Sequence, residues 1–268
     1  MARLAVLGHP VSHSRSPAMQ SAALHALGLD DWTYEAIDVT PDDFESLVRS
    51  LPGEGFAGVN VTVPHKEAAL ALSDDASDAA SAIGAANTLT FTNGRIEAEN
   101  TDAPGLIDAL GESGNIEGSP ALVLGAGGAG RAVVWALAGA GMEVSLWNRT
   151  ASRAETLASE MNVSAVGDQA GLIDPGDFDV VVNASAAGLG GDDGLADLPL
   201  DPERFRPGQT VVDMVYGDGP GRLLEAASRG GARTVDGLEI LVRQGARSLS
   251  IWTGMEPDID VMERAARS

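Results

Sequence analysis

Ala121-Leu122-Val123-Leu124 runs without a break into Gly125-Ala126-Gly127-Gly128-Ala129-Gly130, and a helical pattern follows to about residue 138. Gly125, Gly127 and Gly130 satisfy G-x-G-x-x-G at the junction of a buried strand and a helix. In that setting the first glycine makes the turn, the second lets a pyrophosphate reach the backbone, and the third lets helix meet strand. The N–H groups at the helix start then face the phosphates. In a chain with 33 glycines the spacing alone is weak, and a merely structural turn is the alternative. The strand-to-helix context favours a dinucleotide.

Strands are expected again at residues 143–147, 180–183 and 210–214, with helices between them. That alternation implies a parallel sheet covered on both faces. An NAD site places Asp or Glu near the end of its second strand, where it bonds the ribose 2′-hydroxyl. Here the positions are Asn148-Arg149-Thr150, with Arg153 one turn later. A guanidinium there attracts a 2′-phosphate, so NADP is the expected cofactor. The alternative is that Arg149 and Arg153 only offset an acidic surface.

The first hundred residues alternate short strands (4–7, 34–39, 58–63) with helices. One helix is expected over 16–27, with Pro17 early where its missing N–H is harmless. Another is expected over 41–51, capped by Thr40. Residues 88–92 and 96–100 flank Asn93-Gly94, a strong hairpin signal. A polar, turn-rich stretch at 115–120 precedes the glycine motif. From 237 to 254 the apolar residues Leu238, Leu241, Val242, Leu249 and Trp252 fall at helical spacing.

Net charge is −22, yet 44% of the residues are hydrophobic, too many for a disordered acidic chain. Nucleic acid is an unsuitable partner, because phosphate backbones demand a basic surface. Acidic excess with a single lysine and 4% aromatics suits an extreme halophile; an ordinary acidic protein is the alternative. Cysteine is absent, which excludes disulfides and thiolate chemistry. No apolar run approaches membrane-spanning length and no basic leader precedes residues 4–7, so a soluble cytoplasmic protein is expected. His9 and His13 lie around Pro10 with no acidic companion, and no metal site is expected.

Lys66 is the one lysine among 17 basic side chains. It closes Asn60-Val61-Thr62-Val63-Pro64-His65-Lys66. Arginine stays protonated at ordinary pH, whereas a desolvated lysine can release its proton. A lone surface lysine surviving by chance is the plain alternative.

Taken together, Ser12-His13-Ser14-Arg15-Ser16-Pro17, the segment ending at Lys66, Gly84-Ala85-Ala86-Asn87-Thr88-Leu89 and Asn100-Thr101-Asp102 carry a resemblance, with the glycine motif, Asn148-Arg149-Thr150, Asp213-Met214-Val215-Tyr216, Gly237-Leu238 and Gln244. In order and spacing they resemble the shikimate dehydrogenase family over nearly the whole chain. The resemblance implies reduction of 3-dehydroshikimate to shikimate with NADPH, on the way to chorismate and the aromatic amino acids. It implies an α/β protein of two domains: a substrate domain from 1–101 plus 237–268, and a Rossmann-like NADP domain from 102–236. Lys66 and Asp102 become the catalytic pair. Ser14 and Ser16, helped by Tyr216, would hold the substrate carboxylate; Asn60, Thr62, Asn87 and Gln244 would hold ring hydroxyls. Gly125, Gly127, Gly128, Ala129, Asn148, Arg149, Thr150, Arg153, Met214 and Gly237 would meet the cofactor.

These positions also have plainer readings. Ser14 and Ser16 could cap the helix near Pro17, Asp102 could cap the next one, Asn87 could sit in a turn, and Gln244 could be an exposed helix residue. The chain departs from the family after Tyr216, where Gly217-Asp218-Gly219-Pro220 replaces the usual proline and threonine, and at Glu239, where glycine is common. A quinate-specific enzyme of the same fold is one rival; Ser16 and Arg149 speak against it. A non-catalytic NADP-binding regulator is the other. Monomer and homodimer are both open.

Overall fold

In the structure, a computed structural model, residues 2–111, 117–166, 172–189, 194–217 and 219–268 are described. The expected turn at 115–120 lies partly outside them, as does residue 218 of the loop after Tyr216. The chain divides into two compact units, residues 1–105 with 241–268, and residues 106–240.

The first unit is built from β1 (Arg3–Gly8), α1 (Ser16–Ala26), β2 (Thr33–Asp38), α2 (Phe44–Ser50), β3 (Phe56–Val61), α3 (Lys66–Leu72), β4 (Asp75–Ala76), α4 (Asp78–Ile83), β5 (Thr88–Thr92), β6 (Arg95–Glu99) and the start of α5 (Asp102–Leu110). Its sheet runs β2-β1-β3-β5-β6-β4. β1 pairs in parallel with β2 and β3, whereas β5 is antiparallel to both β3 and β6. Asn93 (φ 52°) and Gly94 (φ 76°) turn the β5–β6 hairpin with both central residues left-handed, the geometry whose twist suits flanking strands. Ala5, Leu7, Phe44, Val48, Val59, Val61 and Leu89 form the core between this sheet, α2 and α3.

Two expectations need correction here. The helix expected from residue 41 begins at Phe44, and Thr40 does not cap it. The Thr40 hydroxyl instead donates to the Asp43 carboxylate at 2.8 Å, which keeps 41–43 in a turn. The strand expected to reach residue 63 ends at Val61, where the chain enters a turn closed by His65 N–H on the Thr62 carbonyl at 2.9 Å.

The second unit continues from α5 through β7 (Pro120–Leu124), α6 (Gly128–Gly139), β8 (Glu143–Trp147), α7 (Ala151–Met161), β9 (Ser164–Ala165), β10 (Val180–Asn183), β11 (Thr210–Asp213), α8 (Arg222–Arg229), β12 (Arg233–Val235) and the first turn of α9 (Gly237–Thr253). Its sheet is wholly parallel in the order β12-β11-β10-β7-β8-β9. Strands β7 and β10 are buried almost throughout, as expected for a sheet covered on both faces. The remainder of α9 and α10 (Ile259–Ala266) returns to the first unit, where α10 packs on α1. The helices α5 and α9 carry the chain between units, and the unit boundaries fall inside them, after Gly105 and Ile240. No helix among the described residues is long and apolar enough to cross a membrane.

Candidate active site

Lys66 is the first residue of α3, and the residue before it is locked in place. His65 is buried, stacks on Phe44 with ring centroids 4.3 Å apart, and donates its Nε2–H to the Val39 carbonyl at 2.8 Å. Burial lowers the pKa of this imidazole, which favours the neutral ring. The Lys66 carbonyl accepts from Ala86 N–H at 2.9 Å, tying α3 to the approach of β5. From this anchored backbone Nζ donates to Asp102 Oδ2 at 2.6 Å, with the side chains 11% and 6% exposed.

Asp102 is free for that contact because another residue caps α5. Asn100 Oδ1 accepts from the N–H groups of Asp102 (3.1 Å) and Ala103 (3.2 Å), which is the work of an N-cap. The capping alternative for Asp102 is thereby removed. Its other oxygen, Oδ1, accepts from Asn87 Nδ2 at 3.0 Å. That amide also lies within reach of Thr101 Oγ1 (2.9 Å) and Gln244 Oε1 (3.0 Å), so its two hydrogens are shared among three acceptors. Asn87 and Gln244 are therefore members of one buried network with the charged pair.

Beneath this layer lie residues that sequence reasoning did not single out. Ser248 Oγ meets Asn60 Nδ2 (2.9 Å), Thr88 Oγ1 (2.8 Å) and Thr101 Oγ1 (3.1 Å), and donates to the Gln244 carbonyl at 3.1 Å. Tyr34 OH donates to Asn60 Oδ1 at 2.8 Å. Asn60, expected to hold a ring hydroxyl, is also engaged with protein at both ends of its amide. The signal for Ser248 was present: it stands four residues after Gln244, on the same face of α9.

Ser16 opens α1 and is buried, and its N–H donates to Ser14 Oγ at 3.2 Å; the N-cap position is Arg15, with no side-chain cap. Thr62 is half-buried at the turn after β3, where its N–H donates to the Leu7 carbonyl. His9 Nδ1 lies 2.7 Å from Asp38, and no group of three metal-binding side chains occurs among the described residues.

In the other unit, Gly125 has φ +116°, and a Cβ there would lie 2.8 Å from the Ala184–Ser185 peptide. A Cβ on Gly130 would strike the Gly125 carbonyl oxygen at 2.0 Å, so only glycine lets α6 approach β7. Gly127 differs: nothing lies within 4 Å of where its Cβ would stand, which leaves open space for a phosphate over the backbone. The N-cap of α6 is Gly127, which has no side chain to offer the N–H groups at the helix start. Donor groups and open space there fit a pyrophosphate.

Asn148 Oδ1 accepts from Ala126 N–H at 3.1 Å and its Nδ2 donates to the Thr150 carbonyl at 3.0 Å, fixing the end of β8 against the glycine turn. Arg149 is exposed with no ion pair among the described residues, and Arg153 is exposed one turn into α7 behind Thr150. Met214 and Tyr216 follow β11 and are half-buried. Met214 N–H donates to the Asn183 carbonyl at 2.9 Å, and a Cβ on Gly237 would lie 2.6 Å from the Met214 oxygen.

A parallel sheet with this glycine turn defines a dinucleotide-binding α/β protein, joined here to a second α/β unit holding a buried Lys–Asp pair. Family models described as "Shikimate dehydrogenase substrate binding domain", "Shikimate / quinate 5-dehydrogenase" and "Shikimate 5'-dehydrogenase C-terminal domain" match residues 6–89, 109–188 and 237–267. The chain belongs to the shikimate dehydrogenase family. It is 46% identical over 273 residues to a shikimate dehydrogenase (NADP(+)) of Thermus thermophilus, covering 100% of this chain and 98% of that one. It is 43% identical to the enzyme of the same name from Anaeromyxobacter dehalogenans, covering 96% and 92%. The crystal structure of the Thermus thermophilus enzyme in complex with NADP(H) and shikimate superposes with a TM-score of 0.89 at 44% identity, covering 100% and 99%.

Proposed function

We propose that this chain is an NADP-dependent shikimate dehydrogenase, interconverting 3-dehydroshikimate and shikimate with Lys66 and Asp102 as its acid–base pair. The observation that carries the reading is the 2.6 Å contact between Lys66, the chain's one lysine, and a carboxylate held from behind by Asn87. NADPH, when bound, supplies the hydride. Adding hydride to a ketone places negative charge on its oxygen, which then needs a donor and a proton. The Lys66 ammonium has three N–H groups and spends one on Asp102, so the others can serve that oxygen. Asp102 orients the ammonium.

The polar lining suits a polyhydroxylated ring, for which each unmatched donor or acceptor is penalised. Asn87, Gln244 and Thr62 fit ring hydroxyls, with Asn60 bracing them from below, and Ser14 with Ser16 fits a carboxylate. In the other unit the start of α6 fits the pyrophosphate, and Arg149 with Arg153 fits the 2′-phosphate.

Purified protein mixed with shikimate and NADP, followed by nicotinamide absorbance, tests the proposal. Reduction of NADP is expected with shikimate and much less with quinate. No reduction with shikimate, or a preference for quinate, overturns it.

A further inference from the structure

Asn183 ends β10 and Asp213 ends β11, opposite one another in register, and their side chains meet: Asn183 Nδ2 donates to Asp213 Oδ1 at 2.9 Å. Each also shapes the loop leaving its own strand. Asn183 Oδ1 accepts from the Ser185 N–H (3.1 Å) and hydroxyl (2.7 Å), and Nδ2 reaches the Ala187 carbonyl at 3.3 Å. Ser185 Oγ in turn accepts from Ala187 N–H at 3.1 Å. Asp213 Oδ1 accepts from Val215 N–H at 3.1 Å. The two loops touch other parts of the unit: Gly125 rests on the Ala184–Ser185 peptide, and Gly237 rests on the Met214 carbonyl.

From β7 the chain goes outward to β8 and β9, then crosses back to β10 on the other side. Such a reversal opens a crevice at the carboxyl ends of the strands, here between β7 and β10. A dinucleotide with its pyrophosphate at α6 and its 2′-phosphate at Arg149, after β8, extends its other half toward β10 and β11. The Asn183–Asp213 pair sits on that side.

We infer that Asn183 and Asp213 are positioning residues for the nicotinamide half of NADP, holding loops 184–189 and 214–217 in the shape that receives it. The inference rests on the functional reading above. Asp213 has a further property that sets it apart from a simple prop. It is buried, no cation pairs with it among the described residues, and burial pushes its pKa up to about 6 against the opposing Val215 and Asn183 hydrogen bonds. An ionised buried carboxylate opposes folding, and groups so placed cluster at functional sites.

The test uses two probes, NADP and adenosine 2′,5′-bisphosphate, which carries the adenosine half alone, titrated into wild type, Asn183→Ala and Asp213→Ala. Each variant is expected to bind NADP roughly tenfold more weakly, about the net worth of the lost hydrogen bonds, with the bisphosphate affinity unchanged. Equal weakening of both probes would mean general loosening and would overturn the inference, as would wild-type affinity for NADP. If the alanine variants do not fold, Ser185→Ala, which removes one hydroxyl from the first loop, is read by the same criteria. Wild-type protein that binds neither probe removes the functional reading itself; wild type that binds both while the variants match it removes only this inference.

Discussion

Lys66 Nζ and Asp102 Oδ2 lie 2.6 Å apart across 36 residues of sequence, and the pairing exists because Asn100, not Asp102, caps α5. The ammonium is expected to be indispensable. Lys66→Ala should lower kcat for shikimate oxidation by roughly 10²–10⁴, the usual contribution of acid–base catalysis, while NADP binding persists. Lys66→Arg should do nearly as badly, because a guanidinium keeps the charge and does not give up its proton. Wild-type turnover in either variant would contradict the catalytic assignment.

Arg149 stands exposed after β8 without an ion pair among the described residues. If it holds the 2′-phosphate, Arg149→Ala removes a charge-assisted hydrogen bond. The ratio kcat/KM for NADP should fall by roughly 10- to 100-fold and that for NAD should barely move. Equal losses with both cofactors would place the arginine elsewhere in the chemistry.

These assignments differ in how far the chain alone disclosed them. The glycine turn was readable because each glycine answers a local steric demand, and Gly125 and Gly130 meet theirs against backbone. The hairpin at Asn93-Gly94 was readable for the same reason. Ser248 was readable only as a neighbour of Gln244 on one helix face, since it meets Asn60, Thr88 and Thr101 only when α9 returns to the first sheet. Asn60 shows the other side: its residue type suits a ligand, and only the fold shows that its amide also meets Tyr34 and Ser248. Thr40 looked like a cap by type and position, yet a competing carboxylate at Asp43 takes its hydroxyl. Short-range stereochemistry is written locally; the allocation of hydrogen bonds in a buried network depends on distant chain.

A net charge of −22 sets an expectation about salt. Substrate and NADP are both anionic and must approach like charge, and the carboxylates repel one another. Raising salt from about 0.1 M to about 1 M shortens the Debye length from about 10 Å to about 3 Å. Both kcat/KM and the thermal midpoint are expected to rise over that range. Activity that stays flat or falls would argue against adaptation to a saline interior and leave the enzymology untouched.

Asp213 gives a prediction whose sign follows from linkage. Its carboxyl titrates at about 6 in the fold, against an ordinary value of 3.8, chiefly because burial disfavours the charge. The folded state therefore binds the proton more tightly than the unfolded chain. The stability tied to protonated Asp213 is fully present below pH 3.8 and is lost as pH rises through about 6. Asp213→Asn keeps an oxygen for Val215 and Asn183 but cannot ionise, so it escapes this loss. Unfolding free energies of wild type and variant, compared from about pH 4 to about pH 7, should diverge in the variant's favour by about 2–3 kcal/mol. Every other carboxylate is common to both proteins and cancels in the difference. A difference that stays constant with pH would mean that Asp213 ionises in the fold as freely as in the unfolded chain, and would remove the argument that this carboxylate is kept at the expense of stability.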